Sequence, residues 1–333
     1  VTTIAESAFE DCSTLTSVAI LEGVKTIGET AFQNCTSLVT VTVPASVTRI
    51  ADTAFEGCTS LHVPHDIPDG TEIIPANCLN GLIIKNMVTT VRVPASVTTI
   101  EASAFRDCVA LRTIELQNGL TTIGENAFGR CWALNAIEIP DSVTTIARGA
   151  FHWCVNLKNC IIPKGVTTIG DSAFRECTAL DALELPDSVT DIGAWAFREC
   201  TALHAIKLSK TLTAIKQRAF NGCTALETIQ IPNSVKAIEE SAFEDCSELT
   251  IVTILEGVTI IGDSAFKNCS SLVTVAIPDS VTSIEQGAFA GCTALKEIVI
   301  EHFTAVDMHM PKDLGISDPR KVIKFQYLIT IPS

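Results

Sequence analysis

The chain has 333 residues, of which 47% are hydrophobic but only 5% aromatic, and its formal net charge at pH 7 is −15. A field of that sign repels phosphate backbones, so no nucleic-acid partner is expected. No apolar run approaches the roughly 18–20 residues that a membrane-spanning helix needs, so no span is predicted in this segment.

A 23-residue repeat governs most of the chain. Phenylalanine, preceded by alanine and followed three places later by cysteine, recurs every 23 residues in two unbroken runs, Phe9 to Phe55 and Phe105 to Phe289. The segment AFRECTAL occurs unchanged at 173–180 and again at 196–203. Each inward side chain must stay in line with its neighbour in the next unit, so this strict period predicts a solenoid of stacked layers.

Each unit predicts the same elements in the same order. In LNAIEIPDSVTTIARGAFHWC, residues 134–154, inward Ile137 and Ile139 alternate with outward Glu138, which predicts a strand with one buried face. Pro140 cannot donate to a β-ladder and ends this strand. The β-branched S-V-T-T-I that follows predicts a second short extended segment. The tail A-F-x-x-C-x-x-L predicts one helical or 3₁₀ turn.

One unit is distorted. Phe55 and Phe105 lie 50 residues apart, and between them only fragments of the pattern remain. Ile73 follows Ile50 by 23 residues, Cys78 comes next, and VRVPASVTTI at 91–100 resumes the pattern, so one damaged unit can be traced here.

Two regions follow from this pattern. We predict a solenoid of about 13 units at 1–300, with its irregular unit at 61–90, and an irregular segment at 301–333 that leads into a further repeat or forms a cap. The islands 61–90 and 301–326 are either functional insertions or decayed repeats. Because the chain begins inside a unit and ends on LITIPS, which looks like the start of another, we expect a segment of a longer protein.

The 14 cysteines raise the question of disulfides or metal sites. Twelve of them occupy the same inward repeat position, and no C-x-x-C pair occurs. A small thiol packs well there, so we predict reduced structural cysteines. Residues with ligand-like spacing occur in the islands as two sets: His62, His65 and Asp66; and His302, Asp307 and His309. Neither set completes the four ligands that a metal needs, so no metal and no cofactor is predicted.

No catalytic signature is present. The chain has no G-x-S-x-G elbow, no P-loop and no dinucleotide fingerprint, and serines and aspartates that could pair with a histidine recur as repeat filler. We therefore predict that this segment is not an enzyme.

The unit pattern L-x-x-I-x-I-P-x-x-V-x-x-I-G-x-x-A-F-x-x-C-x-x-L resembles the 23-residue leucine-rich repeat of BspA-like proteins. SLVTVTVPASVTRIADTAFEGC at 37–58 and SLVTVAIPDSVTSIEQGAFAGC at 271–292 match it nearly throughout. The resemblance implies a leucine-rich-repeat horseshoe or gently curved right-handed solenoid. Its parallel β-sheet would lie on the concave side, with short extended segments and 3₁₀ or helical turns on the convex side. It also suggests cell-surface or secreted proteins that bind host or matrix proteins.

Outward side chains on the concave strand are free to recognise a partner, because packing does not constrain them. The candidate binding residues in this row are Arg92, Glu115, Glu138, Glu184, Lys207 and Gln230. Neighbouring layers lie about 4.8 Å apart, so Glu115 and Glu138 place like charges side by side. Either a basic partner relieves this repulsion or the two side chains splay into water. The second outward row is small and flat, which favours a weak or multivalent contact.

Two functions fit these features. The first is a non-catalytic protein-interaction or adhesion module with a concave surface about 60 Å long, on a cell-surface or secreted protein. The alternative is a structural or scaffolding subunit of a larger assembly that docks through the irregular islands. Free cysteines favour an intracellular setting for this alternative. An enzyme remains an option only if segments outside this one carry a catalytic domain.

Overall fold

The computed structural model describes residues 1–300, apart from 45, 52, 63, 68 and 77–86, together with the strand Ile323–Phe325. The described residues form short β-strands joined by turns and hold no α-helix. Consequently, none of them belongs to a helix that is long and apolar enough to span a membrane.

Each layer contributes two strands, which build two faces. The long-strand face consists of Ser17–Ala19, Thr40–Thr42, Pro64–Asp66, Thr90–Arg92, Thr113–Glu115, Ala136–Glu138, Asn159–Ile161, Ala182–Glu184, Ala205–Lys207, Thr228–Ile231, Ile251–Ile254, Thr274–Ile277, Glu297–Ile300 and Ile323–Phe325. The short-strand face consists of Thr3–Ile4, Thr26–Ile27, Arg49–Ile50, Ile73–Ile74, Thr99–Ile100, Thr122–Ile123, Thr145–Ile146, Thr168–Ile169, Asp191–Ile192, Ala214–Ile215, Ala237–Ile238, Ile260–Ile261 and Ser283–Ile284.

Most strands of one face pair in parallel with their equivalents in the next layer, whereas Thr113–Glu115 and Ala136–Glu138, and likewise Asn159–Ile161 and Ala182–Glu184, belong to separate sheets. Leu183 pairs with Ile206, and Glu184 pairs with Lys207, both across a step of 23 residues. In the long strands Ala136–Glu138, Ala182–Glu184 and Ala205–Lys207 the central side chain is buried and its neighbours are exposed or half-buried, as the alternating pattern predicts. The parallel solenoid is therefore confirmed. The horseshoe curvature stays a prediction.

The A-F-x-x-C segment forms consecutive tight turns. In one unit, the amide of Cys177 donates to the carbonyl of Phe174 at 3.1 Å, which is the i to i+3 bond of a single turn. The turn does not extend into a helix, because Ser172 and Glu176 have φ angles of 55° and 61°. Such left-handed conformations are uncommon outside glycine. Here the amide of Glu176 donates to the carbonyl of Arg198 in the next layer at 2.8 Å, and this bond helps to hold the conformation.

Phenylalanine rings form a continuous stack along the axis from Phe105 to Phe289. The ring centroids of neighbours are 5.2–5.6 Å apart, and the ring planes are close to parallel. A second, shorter stack joins Phe9, Phe32 and Phe55. Each ring packs against rings above and below, so a change in the repeat length would break the contact on both sides.

The cysteines form a ladder beside these rings. The Sγ of Cys177 donates to the carbonyl of Phe151 at 3.2 Å, and the same bond, always 26 residues back, recurs at Cys200 and Cys223. All 13 described cysteines are free thiols, and 11 of them are buried. Cysteine suits this position because its thiol is small and apolar, yet it can satisfy a buried carbonyl.

The distorted unit is a seam in the core. Buried residues up to Leu61, together with Met87, belong to one hydrophobic cluster, and the other buried residues from Ile67 onward belong to another. The 23-residue step from Ile50 leads to Ile73, but the side chain of Ile73 is 50% exposed, whereas Ile74, with 1% exposure, is the inward residue. Relative to the 23-residue step, one extra residue precedes the strand Ile73–Ile74. Because side chains alternate along a strand, this shift of one residue exchanges its two faces.

Arg112 bridges the seam. Its guanidinium donates to the carbonyls of Cys58, Thr59 and Leu61 at 2.7, 2.8 and 3.1 Å. Arginine is suited to this task because its planar head holds several donors in a fixed arrangement. The side chain thereby ties the layers that follow the distorted unit to the carbonyls that precede it.

Candidate protein-interaction surface

The long-strand face carries all of the predicted binding residues in exposed positions. These residues are Arg92, Glu115, Glu138, Glu184, Lys207 and Gln230. Each is the third residue of its long strand, so the row runs along the axis with one side chain per layer. None contributes to the buried core.

Electrostatics divides this row into paired and unpaired charges. Arg92 lies 3.3 Å from the carboxylate of Asp69. Lys207 forms an ion pair with Glu184 of the preceding layer, and the hydrogen bond and charge of Glu184 raise the pKa of Lys207. Lys207 and Glu184, which were both predicted to bind a partner, therefore neutralise each other's charge.

Glu115 and Glu138 differ from the rest of the row. Both are exposed, and neither has an ion-pair or hydrogen-bond partner for its carboxylate among the described residues. They stand in consecutive layers, about 4.8 Å apart along the axis. This is the part of the row where unbalanced negative charge is concentrated.

Ile161 adds an apolar element that was not among the predicted binding residues. Its side chain is 74% exposed and follows Glu138 in the row. A shallow groove of about 660 Å³ runs beside it and is also lined by Pro163, Glu184 and Lys207. The sequence feature that could have identified Ile161 is an apolar residue at an outward position of its strand, which packing alone does not explain.

Some predicted sites lie partly outside the described residues. Among the described residues, no group of three or more His, Cys, Asp or Glu could hold a metal ion. The side chain of His65 and the set His302, Asp307 and His309 fall outside that description. Most of the island 301–326 also lies outside the described residues, so docking of a scaffold through the islands stays a prediction.

The turn edge, which joins each short strand to the next long strand, holds a second group of exposed residues. Trp132 and Trp153 are 41% and 39% exposed, and Arg130 and Arg175 lie on neighbouring turns. Sequence reasoning missed them because the tryptophans occupy different positions of the repeat and do not align into a row.

His152 lies half-buried among these arginines. Burial lowers the pKa of His152, the hydrogen bond of its Nδ1 with the carbonyl of Gly149 raises it, and the charges of Arg106, Arg130 and Arg175 lower it further; the net effect is a lowered pKa. The folded protein therefore holds this ring neutral at pH values where the unfolded chain protonates it. Stability that depends on the neutral ring is complete above the unfolded pKa of 6.5 and falls as the pH drops below it.

We therefore expect His152→Gln to flatten the dependence of stability on pH between 7 and about 5. Gln33 occupies the equivalent repeat position, so the replacement suits the local fold. Urea denaturation of both proteins at several pH values measures the effect. Equal slopes would show that the ring does not titrate differently in the folded state.

A family model decides which kind of repeat this is. The model for the BspA type leucine rich repeat region matches in six copies over residues 1–89, 72–204 and 192–309. The chain belongs to the BspA-type leucine-rich repeat family. The resemblance predicted from the unit pattern is thereby confirmed. No curated protein matches the chain at a significant level.

Several solved structures of leucine-rich repeat proteins are similar to this BspA-type chain. A protein from Bacteroides ovatus is 27% identical with a TM-score of 0.64, and the match covers 98% of this chain and 88% of that one. A protein from Eubacterium ventriosum is 28% identical with a TM-score of 0.52, covering 94% and 84%. A leucine rich cell surface protein from Faecalibacterium prausnitzii is 30% identical with a TM-score of 0.41, covering 93% and 80%.

Proposed function

We propose that this BspA-type repeat is a non-catalytic protein-interaction or adhesion module that binds an extended protein segment on its long-strand face. The observation that carries the proposal is the stretch from Glu115 to Lys207. There, two unpaired carboxylates adjoin an exposed isoleucine and a shallow groove. Recognition surfaces combine such an apolar centre with charged groups around it.

The dimensions of the row suit an extended partner. From Arg92 to Gln230 the row crosses seven layers, which is about 29 Å at the usual strand spacing. A partner segment of roughly nine residues in an extended conformation covers this distance. A small folded epitope would engage only part of it.

Charge complementarity defines the partner more closely. Glu115 and Glu138 repel each other in the free protein, and a basic side chain placed between them removes that cost. Arginine is the better candidate because its planar guanidinium can meet two carboxylates at once. Ile161, in the next layer, then receives an apolar side chain of the same segment.

We place the module on a cell-surface or secreted protein. The 11 buried thiols do not oppose this, because the thiolate is the reactive form and burial disfavours it. Burial raises the pKa of Cys58 to about 11 and that of Cys160 to about 12. Protease treatment of intact cells from the native source should release peptides of this chain. Release only after lysis would contradict the placement.

Reversal of the unpaired charges tests the binding face. We expect Glu115→Lys together with Glu138→Lys to weaken binding of the partner at least about tenfold, which corresponds to 1.4 kcal/mol. The partner is first identified by mass spectrometry after capture on the unmodified protein, and its affinity for each variant is then measured by calorimetry.

The control for this experiment is Glu22→Lys together with Glu248→Lys. This variant changes the net charge equally but alters exposed residues outside the row. It should bind the partner with nearly the affinity of the unmodified protein. Equal weakening by both variants would indicate a general charge effect and contradict the assignment of the long-strand face.

A further inference from the structure

The turn edge concentrates residue types that are rare elsewhere in the chain. The chain has three tryptophans, all of which lie on turns: Trp132 and Trp153 belong to consecutive layers, and Trp195 lies two layers beyond Trp153. We call the part of this edge that is formed by Trp132, Trp153, Arg106, Arg130, Arg175 and Arg198 the turn ridge. Tryptophan and arginine are the residues most enriched at the energetic centres of protein interfaces.

Packing does not explain the exposed tryptophans. The position of Trp132 is filled by Thr36 and Thr178 in other layers, and the position of Trp153 is filled by Asn34. The backbone is the same in these layers, since Trp153 and Asn34 have φ angles of 61° and 57°. The fold thus accepts small polar residues here, yet this part of the edge exposes two large indoles.

The turn ridge also gathers four arginines on an otherwise acidic protein. The four arginines of the ridge are accompanied by the carboxylates of Asp107, Glu176 and Glu199, and exposed Glu125 and Asp171 lie on the same turns. By contrast, the equivalent turns of the first three layers carry Glu10, Asp11 and Glu56 and no basic residue. At physiological ionic strength the negative charge of distant layers is screened beyond about 8 Å, so a partner would sense mainly the charges of these turns.

The ion pairs of these arginines leave part of their hydrogen-bonding capacity unused. Arg130 lies 3.8 Å from Asp107, and Arg198 lies 3.6 Å from Glu199, so these ion pairs are loose. The Nε atoms of Arg106, Arg175 and Arg198 are buried and have no hydrogen-bond partner among the described residues, so only the terminal nitrogens of these side chains can meet a partner. A carboxylate that approaches the ridge can accept hydrogen bonds from the terminal guanidinium nitrogens, because the side chains of Arg106, Arg175 and Arg198 are 42%, 37% and 32% exposed.

We infer that the turn ridge is a second docking surface, which binds an acidic polypeptide segment with aromatic or aliphatic side chains between its carboxylates. The carboxylates would meet the arginines, and the apolar side chains would pack on the two exposed indoles. A uniformly anionic polymer fits less well, since Asp107, Glu176 and Glu199 interrupt the positive charge. This surface is separate from the long-strand face and does not depend on its function.

The repeat itself supplies variants that test the inference. Trp132→Thr with Trp153→Asn, and separately Arg130→Glu, introduce residues that other layers carry at the same positions, so each variant should fold. The control Arg49→Glu makes the same charge change on the short-strand face, where Arg49 is exposed. The probe is a fluorescent ten-residue peptide in which glutamate alternates with phenylalanine and leucine, and its affinity is measured by anisotropy.

We expect each ridge variant to bind this peptide at least about tenfold more weakly than the unmodified protein. Arg49→Glu should change the affinity little, and rising salt should weaken binding. Glu115→Lys with Glu138→Lys should not weaken it, so a failure of either surface can be distinguished. The inference is overturned if the unmodified protein does not bind at millimolar peptide or if the ridge variants bind unchanged. It is also overturned if the same peptide with glutamine in place of every glutamate binds equally well. Tighter binding of heparin or of a single-stranded oligonucleotide than of the peptide would overturn it too.

Discussion

Replacement of Phe197 by alanine is expected to lower the free energy of unfolding by about 3–5 kcal/mol. The ring is fully buried and stacks between Phe174 and Phe220, with centroid distances of 5.4 and 5.3 Å. Its removal leaves a cavity that neighbouring layers cannot close, because their own rings are fixed by the same stack. Urea denaturation followed by circular dichroism measures the loss.

The matched control is Phe9→Ala. Phe9 occupies the same repeat position but is 43% exposed and stacks on only one described ring, that of Phe32. Phe9→Ala should therefore lower the free energy of unfolding clearly less than Phe197→Ala does. Similar losses at the two positions would mean that the phenylalanine stack does not carry the stability of the solenoid.

Deletion of one whole layer should be tolerated far better than a change of one residue. Removal of residues 182–204 joins Asp181 to Ala205, which is the register equivalent of Ala182. Each layer contacts mainly its neighbours, so the shortened stack should still fold and unfold cooperatively. Circular dichroism and thermal unfolding of the shortened protein check this.

An alanine inserted between Leu183 and Glu184 is the comparison. The insertion exchanges the two faces of the strand that follows it, which turns Leu185 outward and Glu184 toward the core. Lost burial of one leucine together with an inward carboxylate should cost about 3 kcal/mol or more. An insertion that destabilises the protein less than the whole-layer deletion would refute the idea that the 23-residue step is a packing constraint.

The architecture was predictable from the sequence because the buried residues repeat. Ile137, Phe174 and Cys177 are inward as the pattern predicts, since the same side chain must pack on its equivalent in the next layer. The 23-residue step does not place side chains in the damaged unit. Ile74 replaces Ile73 as the inward residue, because a single inserted residue in a damaged unit leaves no periodic signal from which to place it.

The surface was predictable only in outline. The exposed row from Arg92 to Gln230 followed from alternation, whereas the ion pair between Glu184 and Lys207 required knowledge of the register. The left-handed turn residues and the thiol bonds to carbonyl groups depend on backbone geometry that composition does not reveal. The turn ridge was missed because its members share a place in space and not a position in the repeat.

Site-specific photo-crosslinking in cells of the native source tests most directly which surface meets a partner. The crosslinker would replace Glu138 on the long-strand face, Trp153 on the turn ridge and Ile260 on the short-strand face, where the side chain is 38% exposed. We predict covalent adducts with an identifiable protein from position 138 and no adduct from position 260. Adducts that form from position 260 alone would contradict the central claim that the long-strand face binds the partner.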